Sequence, residues 1–304
     1  LFNVDLSDAE YPISRQELLS AVKEADILVP TIGDKIDASI LSAASSNLKL
    51  IANYGAGYDH IDIKTALQRG IIVTNTPSVL TTDTADMTMA LILAIPRKLR
   101  EGHEEMQSGS WKGWSPSAMI GMRITGKKLG ILGMGRIGQA IAKRAKAFDL
   151  DINYHNRRRL HQNIEESLSA TYWENLEEML STIDILVVSA SLNPSSLYLL
   201  DAKCLGRMKQ SAYLVNISRG EIIDQKALVR QLKEGRLGGA GLDVYDSEEI
   251  IGSDFKRLKN VFLLPHMGSS TLEGRIEMGE KVIINIKTFI DGHRPPDQIV
   301  PSML

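Results

Sequence analysis

A single cysteine, Cys204, stands in the 304-residue chain, so no disulfide can form within it. No apolar run approaches the ~18 residues needed to span a bilayer, which removes the helical membrane classes. No secretory leader is visible at the start. The chain opens at Leu1 rather than at a methionine, so a preceding segment is expected to be missing. Charge of either sign is not in excess: 35 Lys and Arg against 37 Asp and Glu leave a net −2, which argues against wholesale nucleic-acid binding. Internal repeats and low-complexity tracts are absent as well. These features fit a cytoplasmic enzyme of ordinary composition, with no metal, membrane or nucleic-acid partner expected.

What is present is a regular alternation of strand and helix signals. Apolar β-rich runs stand at Asp26–Pro30, Leu48–Ala52 and Ile71–Asn75. Further runs follow at Lys128–Leu132, Asp151–His155, Ile183–Val188, Ala212–Asn216, Gly239–Val244 and Asn260–Leu264, with helical patterns between them. Such alternation predicts an α/β chain with parallel sheets. Between Thr81 and Gln107 a long helical stretch is apolar nearly all round, as a helix buried between two domains would be, and Pro96 is expected to kink it. It is also a plausible dimer surface. A last helix, Thr271–Asp291, is expected to cross back to the first domain. The expected fold is therefore two Rossmann-like doubly wound parallel-sheet domains, with residues 1–95 and 275–304 forming one and 96–274 the other.

The strand Lys128–Leu132 runs into Gly133-Met134-Gly135-Arg136-Ile137-Gly138 and then a helical pattern. In that context Gly133 permits a tight turn, Gly135 lets backbone approach a pyrophosphate, and Gly138 lets the helix pack close to the strand. The helix N-terminus at Arg136 and Ile137 supplies free N–H groups for phosphates. About twenty residues on, where an acid would hydrogen-bond a ribose 2′-OH, stands Asn156, followed by Arg157, Arg158 and Arg159. Asn156 brings no repulsion for a 2′-phosphate, and Arg157 and Arg158 offer planar guanidinium forks to it. Arg159 reads as a solvated turn residue. NADP(H) is thus favoured over NAD(H), which is kept as the weaker alternative.

Three charged residues fall at the carboxyl ends of later strands, where α/β sheets place their chemistry. Arg219 ends the run Val215–Gly220, Glu248 lies beyond Leu242–Tyr245, and His266 ends Val261–His266. A histidine with a nearby acid suggests an oriented general acid. The arginine suits a carboxylate or a polarised carbonyl. Each alone has a plainer explanation, as a local hydrogen bond, an acidic run or a turn cap.

Over nearly its whole length the chain resembles the D-isomer-specific 2-hydroxyacid dehydrogenases, and among them the glyoxylate/hydroxypyruvate reductases. The resemblance is carried by Ile51–Asp62, Val73–Pro77, Thr84–Asp86, the Gly133 turn, Asn216–Gly220, Gly241–Tyr245 and Pro265–Ser269, in that order. It implies that Arg219 binds the carboxylate and carbonyl of a small 2-oxo or 2-hydroxy acid, that His266 donates the proton in reduction, and that Glu248 is its partner and raises its pKa. It further implies that Ala56 and Gly57 hold the substrate carboxylate through backbone, that Asp243 meets the nicotinamide carboxamide, and that Thr84, Ile217 and Gly268 line the cofactor. The domain made of both chain ends would be the flavodoxin-like substrate domain. A homodimer is implied too, and Trp114 either reaches a neighbouring subunit's site or packs as an ordinary loop residue.

Two departures from the family pattern stand out. About 30 residues, one βα unit, are expected before the segment that opens here. Glu248 is followed by Glu249 and Ile250 rather than by the usual proline, so its choice among Asp246, Glu248 and Glu249 rests on spacing from Asp243. The rival expectations are an NAD-dependent phosphoglycerate- or lactate-type dehydrogenase, a formate dehydrogenase, and a non-catalytic NAD(H)-sensing corepressor.

Overall fold

A computed structural model describes residues 2–7, 11–246 and 253–301 of the chain. It divides into two compact units, Leu1–Leu80 with Thr271–Leu304, and Thr81–Ser270.

The smaller unit is built on a three-stranded parallel sheet, β1 (Ile27–Leu28), β2 (Leu50–Ala52) and β3 (Ile72–Thr74), in that order. Alternation along β2 sends Ile51 to one face, with Val22, Ile36, Ile40 and Val73. Leu50 and Ala52 go to the other face, where they meet Val282 of the helix Leu272–Ile290. Both faces are therefore covered, and all of β2 is buried, as a strand sandwiched between helical layers must be. The last helix groups with this unit.

The larger unit carries seven parallel strands: β4 (Lys128–Leu132), β5 (Asp151–His155), β6 (Thr171–Tyr172), β7 (Ile185–Val188), β8 (Tyr213–Asn216), β9 (Gly239–Leu242) and β10 (Val261–Leu263). Their order in the sheet is β10-β9-β8-β7-β4-β5-β6. The chain reverses its direction of growth between β4 and β7, so the turn after β4 opens at a topological switch point, where such sheets bind ligands. In β7, Leu186 and Val188 enter one core while Ile185 and Val187 enter the other.

The stretch Thr81–Gln107 is two helices and not one kinked helix. Thr81–Ala94 is apolar and buried, and Leu99–Gln107 contains no buried residue. Pro96 has no N–H to give and its ring excludes the carbonyl four residues back. The chain leaves the helix there and restarts from Lys98, whose φ is +55°. The first of these helices groups with the larger unit, although the sequence boundary at 95/96 puts it with the smaller. Its packing accounts for that: Ala85, Met89 and Ile92 share one buried cluster with Ile141, Ala142 and Ala145 of the helix Arg136–Lys146, and Arg144 Nε donates to Asp86 Oδ1. Its end also lies on β9, where a Cβ on Gly241 would stand 2.3 Å from Ile95 Cδ1 and 3.3 Å from Leu91 Cδ2. Among the described residues, no helix is long and apolar enough to cross a membrane.

Candidate active site

The turn after β4 has the shape its glycines imply. Gly133 has φ +97°, and a Cβ there would meet Ala190 N at 2.5 Å, so both conformation and space demand glycine. Gly138 lies so close that a Cβ would be 2.4 Å from Gly133 O, which is the tight approach of helix to strand. Around Gly135 there is open space within 4 Å of a Cβ position. Many helices in the chain are capped by side-chain oxygens, from Ser14, Asp37, Asp62, Asn175, Asp201, Asp224 and Thr271, while Leu99–Gln107 and Gln162–Leu168 start without one. The helix Arg136–Lys146 starts at Gly135 with no side-chain cap. Its first N–H groups and the positive end of its dipole are thus left for an anion, which is what a dinucleotide pyrophosphate requires.

Next to this turn, Asn156 leaves β5 with its Oδ1 accepting from Met134 N at 2.6 Å. Gly133 N donates to His155 O at 3.1 Å, so the glycine turn and the end of β5 are tied twice. Arg157, Arg158 and Arg159 follow, all exposed. Arg159 is committed to Glu165, with Nη2–Oε2 at 2.8 Å and Nε–Oε1 at 2.9 Å. Arg157 reaches only Ser195 Oγ, at 3.5 Å, and Arg158 has no carboxylate partner among the described residues.

The carboxyl ends of β8, β9 and β10 form a second group in the same unit. Asp243 is 1% exposed at the end of β9, and its two oxygens accept from Met267 N at 2.8 Å and Gly268 N at 2.7 Å. Burial pushes the Asp243 carboxyl above its ordinary range, and the two amide bonds oppose that rise. They also clamp the two residues that follow His266, which holds φ +54°. A left-handed conformation costs a non-glycine residue of order 1–2 kcal/mol, so the clamp holds His266 in a backbone position it would not adopt by itself. Tyr245 reinforces this end of the sheet. Its hydroxyl lies 2.7 Å from Leu264 O and 3.1 Å from Leu242 O, and burial pushes its pKa up to about 12.

Thr84, 7% exposed in the first turn of its helix, stands across from Gly268: a Cβ there would lie 3.8 Å from Thr84 Cγ2 and 2.8 Å from Asp243 Oδ2. Arg219 follows β8, with Asn216 Nδ2 donating to its carbonyl at 2.9 Å and Ser218 Oγ bonded to Ala190 O. Gly220 after it has no room for a side chain, since a Cβ would fall 1.8 Å from Tyr245 C. Its backbone thereby seats the Arg219 loop on the segment leaving β9. Ile217, 8% exposed, closes the end of β8. The structure therefore brings Thr84, Asp243, Gly268 and the His266 backbone together, with the Arg219 loop packed against Tyr245–Asp246. Glu248 lies outside the described residues.

In the smaller unit, the loop after β2 is folded around two asparagines. Asn53, fully buried, donates through Nδ2 to Gly55 O at 3.0 Å and Gly57 O at 2.8 Å, while its Oδ1 is 3.0 Å from His60 Nε2. Asn75 Nδ2 donates to Ala56 O at 2.7 Å. Three successive carbonyls are thus engaged, and the Ala56 and Gly57 N–H groups have no acceptor among the described residues. Successive N–H groups in such a turn suit an anion.

Residues 89–268 match the NAD binding domain of the D-isomer specific 2-hydroxyacid dehydrogenases. The chain is 43% identical over 299 residues to the glyoxylate reductase of Pyrococcus furiosus, covering 97% of this chain and 88% of that one. The chain belongs to the D-isomer-specific 2-hydroxyacid dehydrogenase family. A glyoxylate reductase from Paecilomyes thermophila superposes with a TM-score of 0.87 at 32% identity, over 96% of this chain and 90% of that chain. The NADPH-dependent glyoxylate/hydroxypyruvate reductase from Sinorhizobium meliloti, in complex with NADP and malonate, gives 0.84 at 32% identity, over 92% and 86%. This dehydrogenase-family chain thus has a nicotinamide-dinucleotide domain, and the geometry of Gly133, Gly135 and Gly138 fits that group.

The sequence patterns assign no individual role to several side chains that hold these loops. Asn53 and Asn75 stand at the ends of apolar strands, and a polar residue at such a place is the signal that could have singled them out. Tyr154, Tyr172 and Glu165, which organise the arginine loop, are spaced like ordinary strand and helix residues and give no comparable signal. Trp114 is 85% exposed, so the packed-loop alternative for it does not hold.

Proposed function

We propose that this family member is an NADPH-dependent reductase of small 2-oxo acids, taking glyoxylate to glycolate and hydroxypyruvate to D-glycerate. The reading is carried by the arrangement around Asp243: the His266 loop clamped at the end of β10 and the Arg219 loop seated beside the end of β9. Similarity to the glyoxylate reductases supports the substrate class. NADP(H) is favoured because Asn156 is uncharged and bonded to the glycine turn, and because Arg157 and Arg158 have no carboxylate partner among the described residues.

When bound, the reduced nicotinamide supplies a hydride to the carbonyl carbon. Arg219 holds the substrate carboxylate and carbonyl, and its charge stabilises the alkoxide as it develops. His266 gives its proton to that oxygen, and Glu248 is the acid that orients the ring and favours its charged form. Reduction therefore falls as pH rises through the His266 pKa. The N–H groups of Ala56 and Gly57 bind the substrate carboxylate. Asp243 faces the nicotinamide carboxamide with the oxygen lone pairs that Met267 and Gly268 leave over, and Thr84, Ile217 and Gly268 line the cofactor. A homodimer in the cytoplasm completes the proposal.

The test is turnover by the purified chain alone, with product identified as glycolate or D-glycerate, and with Arg219→Gln and His266→Gln alongside. Loss of at least about 10²-fold in kcat for His266→Gln is expected from removal of a general acid. Absence of turnover in the wild-type chain would move the corepressor reading to the front. Wild-type kinetics in both variants would remove these residues from the mechanism.

A further inference from the structure

Beneath the arginine loop lies a polar network that the proposed chemistry does not use. Tyr154, near the end of β5, is fully buried, yet its hydroxyl serves two partners: it donates to Glu165 Oε1 at 2.5 Å and accepts from Leu160 N at 3.0 Å. Glu165, 7% exposed on the next helix, also receives the forked guanidinium of Arg159. That guanidinium lies 5.6 Å from the centroid of Tyr172, whose ring is 5.3 Å from that of Tyr154. The Tyr172 hydroxyl reaches Asn156 O at 3.4 Å.

The loop between β5 and the following helix is thereby fastened at both ends. Tyr172 and the Met134 N–H hold Asn156 at its start, while Tyr154 holds Leu160 and Glu165 holds Arg159 at its close. Arg157 and Arg158 take no part in these anchors; both are exposed and without a carboxylate partner among the described residues. A buried carboxylate kept as an acceptor for one tyrosine and one arginine is an expensive arrangement for a surface turn unless the turn's geometry matters.

We propose that Glu165, Tyr154, Arg159 and Tyr172 are positioning residues for cofactor choice. They fix the loop Asn156–His161 so that Arg157 and Arg158 meet a ribose 2′-phosphate with their cost of ordering already met by the fold. The inference rests on the reading of Arg157 and Arg158 as 2′-phosphate ligands. None of the four touches the reacting atoms, so their effect falls on phosphorylated and unphosphorylated cofactors unequally. Interactions that only stabilise the domain change both affinities together.

The experiment is fluorescence titration of the purified chain with NADPH and, separately, with NADH. It compares the wild type with Glu165→Gln, Tyr154→Phe and the double substitution Arg157→Ala/Arg158→Ala, each checked for folding by circular dichroism. Glu165→Gln keeps the volume and removes the charge, and Tyr154→Phe keeps the ring and removes both hydroxyl bonds. The expected result is that each weakens NADPH about tenfold and leaves NADH within about twofold. If one variant fails to fold, the other decides. The inference is overturned if the folded variants keep the wild-type NADPH-to-NADH ratio of dissociation constants while the double arginine variant loses it; the 2′-phosphate reading of the arginines then stands. It is equally overturned if the double arginine variant keeps the ratio, and in that case the reading on which it rests fails too.

Discussion

Replacing Gly220 by alanine tests how Arg219 is held. The added Cβ would stand 1.8 Å from Tyr245 C, 2.1 Å from Asp246 N and 2.3 Å from Tyr245 O, all backbone atoms that no side-chain rotation can move. An ordinary carbon contact needs about 3.5 Å, so the Arg219 loop and the segment leaving β9 must part by about 1.7 Å. A displacement of that order in a group that positions substrate costs about 10²-fold in rate, or about 2.7 kcal/mol of transition-state stabilisation. Overpacking also costs about 1–3 kcal/mol of stability, a fall of several degrees in Tm for a domain of this size. The assay is kcat/KM for glyoxylate at saturating NADPH, with cofactor affinity measured separately, because the Gly133 turn stands after a different strand. The expectation is a roughly hundredfold loss in kcat/KM with cofactor affinity changed less than about threefold. A variant with lowered Tm and wild-type kcat/KM would show that seating the loop on Tyr245–Asp246 does not set the position of Arg219.

Other outcomes follow from the same contacts. Asp243→Asn brings an amide against two N–H donors, Met267 N and Gly268 N, so one loses its acceptor; kcat is expected to fall at least about tenfold through loosening of the His266 loop, read by steady-state kinetics, and an unchanged kcat would contradict the clamp. Asn53→Leu removes both donors to Gly55 O and Gly57 O, and it is expected to cost about 1–3 kcal/mol in denaturant unfolding and to raise KM for the 2-oxo acid without changing that for the cofactor. Glu165 has its carboxyl held down to about 2 in the folded chain, first by Arg159 and then by Tyr154. A depressed folded pKa contributes stability that is present above the unfolded carboxyl value and lost as pH falls through about 2. The stability gap between wild type and Glu165→Gln should therefore narrow on acidification from about pH 4.5, and a gap constant down to pH 2 would show that the ion pair adds nothing.

The two-unit parallel α/β plan was legible because both of its signals are local: apolar runs of strand length, and glycines whose spacing forces a strand-turn-helix. The turn at Gly133 shows this well, since its φ of +97° is a conformation that glycine adopts at no steric cost, although the close approach of Ala190 to it is a tertiary contact. The break at Pro96 was legible as a perturbation but not as a full stop: the proline ends the first helix, and the restart of a separate helix from Lys98 at φ +55° is a matter of chain path that residue types do not show. Helix Thr81–Ala94 joins the larger unit through the helix Arg136–Lys146 and through Gly241, contacts between positions some 50 to 150 residues apart that no window of sequence can display. Arg219 and His266 were visible as charges at strand ends. The groups that hold their loops, Asp243 through two amides and Gly220 through absence of a side chain, become apparent only when three strands lie side by side. At Asn156 the sequence shows only a missing charge, and its bond to Met134 N adds a structural reason for an amide there.

The most direct test of the central claim is steady-state oxidation of NADPH and of NADH by the wild-type chain at neutral pH, with glyoxylate and then hydroxypyruvate as acceptor. The account predicts turnover of both acids and a kcat/KM at least about tenfold higher with NADPH, about 1.4 kcal/mol of discrimination. Equal or better turnover with NADH would contradict the assignment of Arg157 and Arg158 to a 2′-phosphate, and no turnover of either acid would contradict the reductase itself.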